Sequence, residues 1–296
     1  MLSKLRHPWP DRRSASACDQ AELTHGLRAS CGAALAGLRP VAGGTLGLCF
    51  NGELDGQPRF FKSHAFDSGR GTLEREAAFL KALAPDQTDP RILQVADRTP
   101  SGRTWLHMRV LTPCPPLAPP DIRPLVAGYE ARLRDHPHLA TLVPQGDTIH
   151  TLFDEAEASL KSLTDAALLS PAAAGAVRGR LERARNACAT RPLQLCHGDL
   201  SPANLMTDGK GIVAIDWEDV FWGVPGYDYL YWLTFFHNRI WLASASLLHT
   251  PFGRSDEIAI MTVIVLLKSV LFVRNNTNHN NTMTIEQRLT EVMDLE

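Results

Sequence analysis

The chain has 296 residues, of which 44% are hydrophobic and 21% charged, and a formal net charge of −2. This composition belongs to soluble globular proteins and excludes wholesale disorder, collagen-like repeats and a disulfide-stapled miniprotein. The near-neutral balance also leaves no whole-protein electrostatic footprint for nucleic acid.

At about 150 residues per domain, the length suggests two domains or one domain with two lobes. The start, Met1-Leu-Ser-Lys-Leu-Arg, is basic, but Pro8, Pro10, Asp11 and Arg12 stand where a signal peptide would need an apolar core. Residues 1–20 are expected to be poorly ordered, and a helix is expected near 20–37. Thr45–Phe50 and Arg59–Ser63 have the texture of short strands, with turn chemistry between them over Asn51–Gly56. Helical spacing covers Gly71–Ala84, and Thr104–Val110 reads as a further strand.

Thr112–Pro120 carries five prolines in nine residues, which no element interior tolerates. It reads as a connector joining an N-terminal lobe, 1–111, to a C-terminal lobe, 121–296. The C-terminal lobe reads as mostly helical. Ser170-Pro171 opens a helix to about Cys188, Ser as cap and Pro in the first turn. The longest apolar run, Ile258–Val273, has sixteen residues and contains Lys268. A membrane span needs about 20 apolar residues, so this run reads as a buried helix and no membrane insertion is expected. The six cysteines form no C-x-x-C pair and no close cluster, so they read as reduced thiols. The expected compartment is the cytoplasm.

The chemistry concentrates in 193–218. An apolar strand delivers His197, Asp199 and Asn204 on one polar loop. A hairpin through Asp208-Gly-Lys-Gly returns a second apolar strand that ends at Asp216. Two acids and an amide thus converge from one hairpin, and such hard oxygen donors suit Mg²⁺, which prefers one or two carboxylates plus substrate phosphates.

The loop His197-Gly198-Asp199-Leu200-Ser201-Pro202-Ala203-Asn204 aligns without a gap on the protein-kinase pattern H-R-D-L-x-x-x-N, and Asp216 falls where the second metal-binding Asp belongs. Gly198 stands in place of the kinase Arg, Ser201 in place of a common Lys, and Asp216-Trp217-Glu218 in place of D-F-G. Only eleven residues separate Asp216 from Asp228, too few for a regulated activation loop with a peptide-docking segment. The segment resembles instead the aminoglycoside phosphotransferase and choline kinase group of the protein-kinase-like superfamily. The resemblance implies an α+β, two-lobed protein-kinase-like fold with a small strand-rich N-terminal lobe and a larger, mainly helical C-terminal lobe. It implies Asp199 as catalytic base, Asn204 and Asp216 as Mg²⁺ ligands on the nucleotide phosphates, and His197 as a brace of the loop. Asp228, in Gly226-Tyr227-Asp228, would receive backbone N–H groups of the catalytic loop, or simply cap a helix.

Such a fold also needs an N-terminal lysine, a helix glutamate and a turn over the phosphates. Lys62 ends the strand Arg59-Phe-Phe-Lys between apolar and small residues. Glu76 falls on the apolar stripe of Leu73, Leu80 and Leu83. A carboxylate on a buried face needs a partner, and Lys62 is the natural one. The turn around Gly43 and Gly44 lets backbone N–H groups approach phosphate oxygens, although it matches neither a Walker loop nor G-x-G-x-x-G. Glu218 could contact metal or acceptor, or cap the strand end. The reading is therefore an ATP-dependent small-molecule kinase that moves the γ-phosphoryl group of Mg-ATP to a hydroxyl of an amino alcohol, amino sugar or sugar-like acceptor. A catalytically silent nucleotide-binding module and a metal-dependent phosphohydrolase are the competing readings. An aromatic run from Phe221 to Phe236 would suit a cationic acceptor, and equally a helix core.

Overall fold

In this computed structural model, the described residues are 17–41, 47–64, 70–95, 103–242, 250–274 and 282–295. Residues 1–16 and the turn glycines Gly43 and Gly44 lie outside them. The described chain divides into two compact units. A strand-rich unit takes the residues up to Cys114 together with Leu205–Glu218, and a helical unit takes Pro115–Asn204 and everything from Asp219 onward.

The strand-rich unit opens with helix α1, Ala17–Cys31. It begins inside the stretch expected to be poorly ordered and stops well short of residue 37. Gly32, at φ +59°, breaks it, and strand β1, Leu35–Pro40, takes the place of the end of the expected helix. Strands β2, Gly47–Leu54, and β3, Gln57–His64, form a hairpin closing on Asp55-Gly56. Both turn residues have positive φ, 52° and 72°, as a two-residue type I′ turn requires, so the expected turn over Asn51–Gly56 contracts and Asn51–Leu54 stays in the ladder. Helix α2, Arg70–Leu83, and the short α3, Pro85–Thr88, lead to β4, Arg91–Val95, and β5, Arg103–Arg109. The five strands form one antiparallel sheet in the order β1-β2-β3-β5-β4. Leu27, Leu48, Phe50, Phe61 and Trp105 fill its core. Strand β6, Thr112–Pro113, uses the start of the proline-rich segment.

The helical unit begins with α4, Pro119–Asp135, α5, Ile149–Asp165, and α6, Pro171–Ala189. Ser170 caps α6, its hydroxyl accepting the N–H of Ala173. Strand β7, Gln194–Cys196, then delivers the polar loop. The chain re-enters the strand-rich unit as the hairpin β8, Leu205–Thr207, and β9, Ile212–Ala214, in a three-stranded sheet with β6. Back in the helical unit, β10, Phe221–Gly223, pairs antiparallel with β7. Helices α7, Tyr227–Leu233, α8, Arg254–Arg274, and α9, Ile285–Met293, complete it. Helix α8 is buried from Glu257 to Leu267 because α6, α5, α9 and α7 all pack on it. No described helix is long and apolar enough to cross a membrane.

Candidate active site

Within the strand-rich unit, the pleat of β3 turns Phe61 and Ser63 into the core and leaves Lys62 and His64 together on the other face. The apolar stripe of α2 carries Glu76, which is only 1% exposed. The ammonium of Lys62 donates to Glu76 Oε2 over 2.8 Å and to Asp216 Oδ1 over 2.5 Å. It also forms an ion pair with Glu218, whose other oxygen lies 3.2 Å from His64 Nε2. Glu76 Oε1 accepts the backbone N–H of Asp216 over 3.0 Å. The two oxygens of Glu76 therefore hold both Lys62 and the backbone that presents Asp216.

Asp216 sits just past β9 at φ +66°, a left-handed conformation that Asp tolerates better than most residues. The next residue secures the turn. Trp217 is buried, donates its indole N–H to the Ala214 carbonyl over 2.8 Å, and stacks on Phe79 of α2 with ring centroids 5.5 Å apart.

Charge is unbalanced here. Carboxylate oxygens of Glu76, Asp216 and Glu218 lie within 4.8 Å of one another around a single lysine. Burial works against the charge of Lys62, but Asp216, Glu76 and Glu218 outweigh it and hold its pKa well above the ordinary lysine range. Burial also acts against Glu218, and Lys62 and His64 overcome it, so that carboxyl titrates well below its usual range. Glu76 is pushed up to about 7 by burial, with the neighbouring acids opposing Lys62. Three hard oxygen donors facing one cation make a set that fits a divalent ion such as Mg²⁺.

The helical unit builds the second constellation. Past β7, the backbone N–H of buried His197 donates to Asp228 Oδ2 over 2.7 Å, and that of Gly198 donates to Oδ1 over 3.0 Å. Tyr129 adds its hydroxyl to Asp228 at 3.4 Å. Burial pushes Asp228 up to about 7 against these backbone donors. The α7 N-cap is Gly226, so Asp228 is a clamp on the loop rather than a cap. Gly198 is required sterically: it lies at φ +80°, and a Cβ there would fall 2.1 Å from the Asp219 carbonyl oxygen.

Beyond that clamp, the N–H of Asp199 donates to His197 Nδ1 over 3.3 Å, and Asn204 Nδ2 donates to the Asp199 carbonyl over 2.8 Å. The Asp199 side chain accepts the Tyr231 hydroxyl at Oδ1 over 2.7 Å. Tyr231 lies three residues after Asp228, on the same face of α7. Burial first, and the charge of Asp199 next, hold its phenol far above its ordinary pKa. Beneath it, Lys268 of α8 donates to the Tyr231 carbonyl over 3.0 Å and sits 3.7 Å from the centroid of its ring.

Sequence reasoning does not single out His64, Tyr231 or Lys268 as site residues. The spacing of Tyr231 from Asp228 is an available signal. For Lys268 the only signal is a charge inside an apolar run. Of the aromatic run, Tyr227, Tyr229, Tyr231 and Trp232 are core, while Phe236 is exposed.

The model of the APH family, described as a phosphotransferase enzyme family, matches residues 37–246. No curated protein sequence matches the chain. Among solved structures, a thermostable mutant of the aminoglycoside phosphotransferase APH(4)-Ia, in ternary complex with AMP-PNP and hygromycin B, is 14% identical with a TM-score of 0.63, covering 93% of this chain and 98% of that one. A choline/ethanolamine kinase family protein from Mesorhizobium loti is 17% identical with a TM-score of 0.53, covering 92% of each chain. A microcompartment-associated aminopropanol kinase is 19% identical with a TM-score of 0.51, covering 94% of this chain and 93% of that one. Likenesses of this kind show the fold, a protein-kinase-like one. With its family model matched over more than half its length, the chain belongs to the APH phosphotransferase enzyme family.

Proposed function

We propose that the protein is an ATP-dependent small-molecule kinase that transfers the γ-phosphoryl group of Mg-ATP to an acceptor hydroxyl. The observation that carries this reading is Lys62, held at once by Glu76 and Asp216. A lysine locked in this way has its ammonium fixed for the nucleotide's α- and β-phosphates, the part it plays in kinase-type phosphoryl transfer. Backbone N–H groups at Gly43 and Gly44 would cover the phosphates.

The roles follow from the chemistry of each residue. Asp199 is the base. The Tyr231 hydroxyl on its Oδ1 orients the carboxylate, which receives the proton of the acceptor hydroxyl. The acceptor oxygen bonds to the γ-phosphorus, the bond from that phosphorus to the β,γ-bridging oxygen breaks, and ADP leaves with that electron pair. Asp216 would supply a carboxylate oxygen to Mg²⁺, and Asn204 its amide oxygen, its Nδ2 being spent on the Asp199 carbonyl. Bound Mg²⁺ neutralises charge on the phosphoryl oxygens. His197 and Asp228 fix the loop, and Glu218 holds Lys62 and His64. The strand-rich unit, which carries Lys62, Glu76 and Asp216, would serve the nucleotide, and the helical unit, which carries Asp199, the acceptor. Cys31, Cys49, Cys114, Cys188 and Cys196 are free thiols, which suits the cytoplasm and its Mg-ATP.

The test is ADP release from Mg-ATP over a panel of hydroxyl compounds, with Asp199→Asn and Asp216→Asn beside the wild type. The reading expects acceptor-dependent ADP release that both variants lose, with Mg-ATP binding kept in Asp199→Asn and weakened in Asp216→Asn. Release independent of acceptor and equal in all three proteins would contradict it.

A further inference from the structure

The helical unit contains a cavity of about 200 Å³ at the ends of α7, α8 and α9, and none of the residues given a role in transfer above is among the described residues that line it. Apolar side chains form its walls, among them Phe235, Val265, Phe272 and Ile285. Lys268 lies at it, and so does Arg288. No Asp or Glu is among the described residues that line it. The cavity is one ring away from the catalytic loop: Lys268 packs on the ring of Tyr231, whose hydroxyl bonds Asp199.

Two features decide what can enter. The first is that the aromatic faces are already occupied by the protein's own cations. Lys268 Nζ lies 3.5 Å from the centroid of Phe235 and 3.7 Å from that of Tyr231. Arg239 and Arg288 lie over Phe236, at 4.9 and 5.6 Å. A cationic acceptor would meet like charge at Phe235, Phe236 and Tyr231. The second is that Lys268 lacks a counter-charge in contact with it. Its donors go to the Tyr231 carbonyl and, over 2.8 Å, to the Thr234 hydroxyl, and no carboxylate among the described residues pairs with it. Burial holds its pKa well below the ordinary value even though Asp199, beyond the ring, opposes it. Arg288 is already committed to Glu291 and to the Thr234 carbonyl, so its fork is not open for bidentate capture of a phosphate. Burial disfavours the Lys268 ammonium and no carboxylate of the described residues pairs with it, so a bound monoanion is the partner that would hold its charge.

We infer that this cavity is the acceptor subsite, and that the acceptor is a small, partly apolar hydroxyl compound carrying a carboxylate, bound with that carboxylate on Lys268. The assignment rests on the kinase reading, and it narrows the acceptor class away from amino alcohols and amino sugars. The volume agrees with a small ligand, since drug-sized ones need about 300–1,000 Å³.

Three probes that share a ring and a hydroxymethyl group and differ only in charge test this: para-(hydroxymethyl)benzoate, para-(hydroxymethyl)benzyl alcohol and para-(hydroxymethyl)benzylamine. Their binding to the whole protein is titrated by calorimetry, with ADP release followed in parallel. Saturable binding of the benzoate is expected, about tenfold or more tighter than the benzylamine, the scale of one charge-assisted hydrogen bond. Lys268→Met should erase that preference and leave the neutral alcohol's affinity in place. Should that variant fail to fold, Lys268→Gln, which keeps a polar side chain and removes the charge, must reduce the preference measurably. Equal or tighter binding of the benzylamine, no saturable binding of the benzoate, or an unchanged preference in the variant that folds overturns the inference. Binding needs no turnover: benzoate that binds but is never phosphorylated while other hydroxyl compounds are would sink the cavity's assignment, and no acceptor-dependent ADP release with any compound would sink only the kinase reading. Transfer to cationic acceptors with no benzoate binding would sink only the cavity's assignment.

Discussion

Tyr231 donates its hydroxyl hydrogen to Asp199 Oδ1 over 2.7 Å, and so orients the carboxylate of the catalytic loop. Tyr231→Phe removes that bond and nothing else of the ring. A hydrogen bond to a charged group contributes about 1.5–3 kcal/mol, so kcat should fall about tenfold or more. The KM for Mg-ATP should stay near the wild-type value, because no nucleotide contact is assigned to Tyr231. Steady-state kinetics check the split. A rise in that KM at constant kcat would contradict the role.

Lys62→Met leaves Glu76 buried at 1% exposure beside Asp216 and Glu218 without their cation. Breaking a buried pair by removing one partner costs about 3–5 kcal/mol. The variant should unfold at clearly lower denaturant concentration and lose Mg-ATP affinity. Denaturant titration and calorimetry measure the two separately.

Gly198→Ala should damage the catalytic loop without touching a charged group. The position lies at φ +80°, and the new Cβ would sit 2.1 Å from the Asp219 carbonyl oxygen. Left-handed backbone alone costs an L-residue about 1–2 kcal/mol, and the clash adds to it by displacing the N–H that holds Asp228. Thermal unfolding should show the loss, and activity should fall with it. A variant of wild-type stability and activity would mean the loop is not held as described.

Stability should depend on Glu218 in acid. Its folded pKa is depressed against an unfolded value of about 4.3. In that window the unfolded chain binds more protons, so stability rises with pH up to about 4.3 and holds above it. The contribution of Glu218 is thus present at neutral pH and lost as the pH falls below that value. Glu218→Gln should be less stable than wild type at pH 7, and the gap should shrink steadily on acidification. A gap that is constant with pH would rule out the ionised Glu218 as the source.

Much of this site is legible in the sequence because it is encoded locally. His197, Asp199 and Asn204 stand on one contiguous loop, and Asp216 lies just past the hairpin after it. Glu76 announces itself as a charge on an apolar stripe, which is a physical anomaly in need of a partner. The features that sequence hides depend on packing between distant segments. Tyr231 reads as one more core aromatic until Asp199 is brought to its hydroxyl. Lys268 reads as an oddity in an apolar helix until the rings of Tyr231 and Phe235 are placed on it. Strand β1, Leu-Ala-Gly-Leu-Arg-Pro, has little intrinsic strand preference and exists because β2 pairs with it. Periodicity carries helix α1 too far because its break lies in a backbone angle at Gly32, which periodicity does not register.

The most direct measurement follows ATP labelled at its γ-phosphorus in the presence of Mg²⁺, the wild type and Asp199→Asn, with a hydroxyl compound that the binding titrations select. The expected result is label covalently bound to the acceptor oxygen with wild type, and none with Asp199→Asn, although that variant still binds nucleotide. Label appearing as inorganic phosphate in equal amounts with both proteins would contradict phosphoryl transfer from this site.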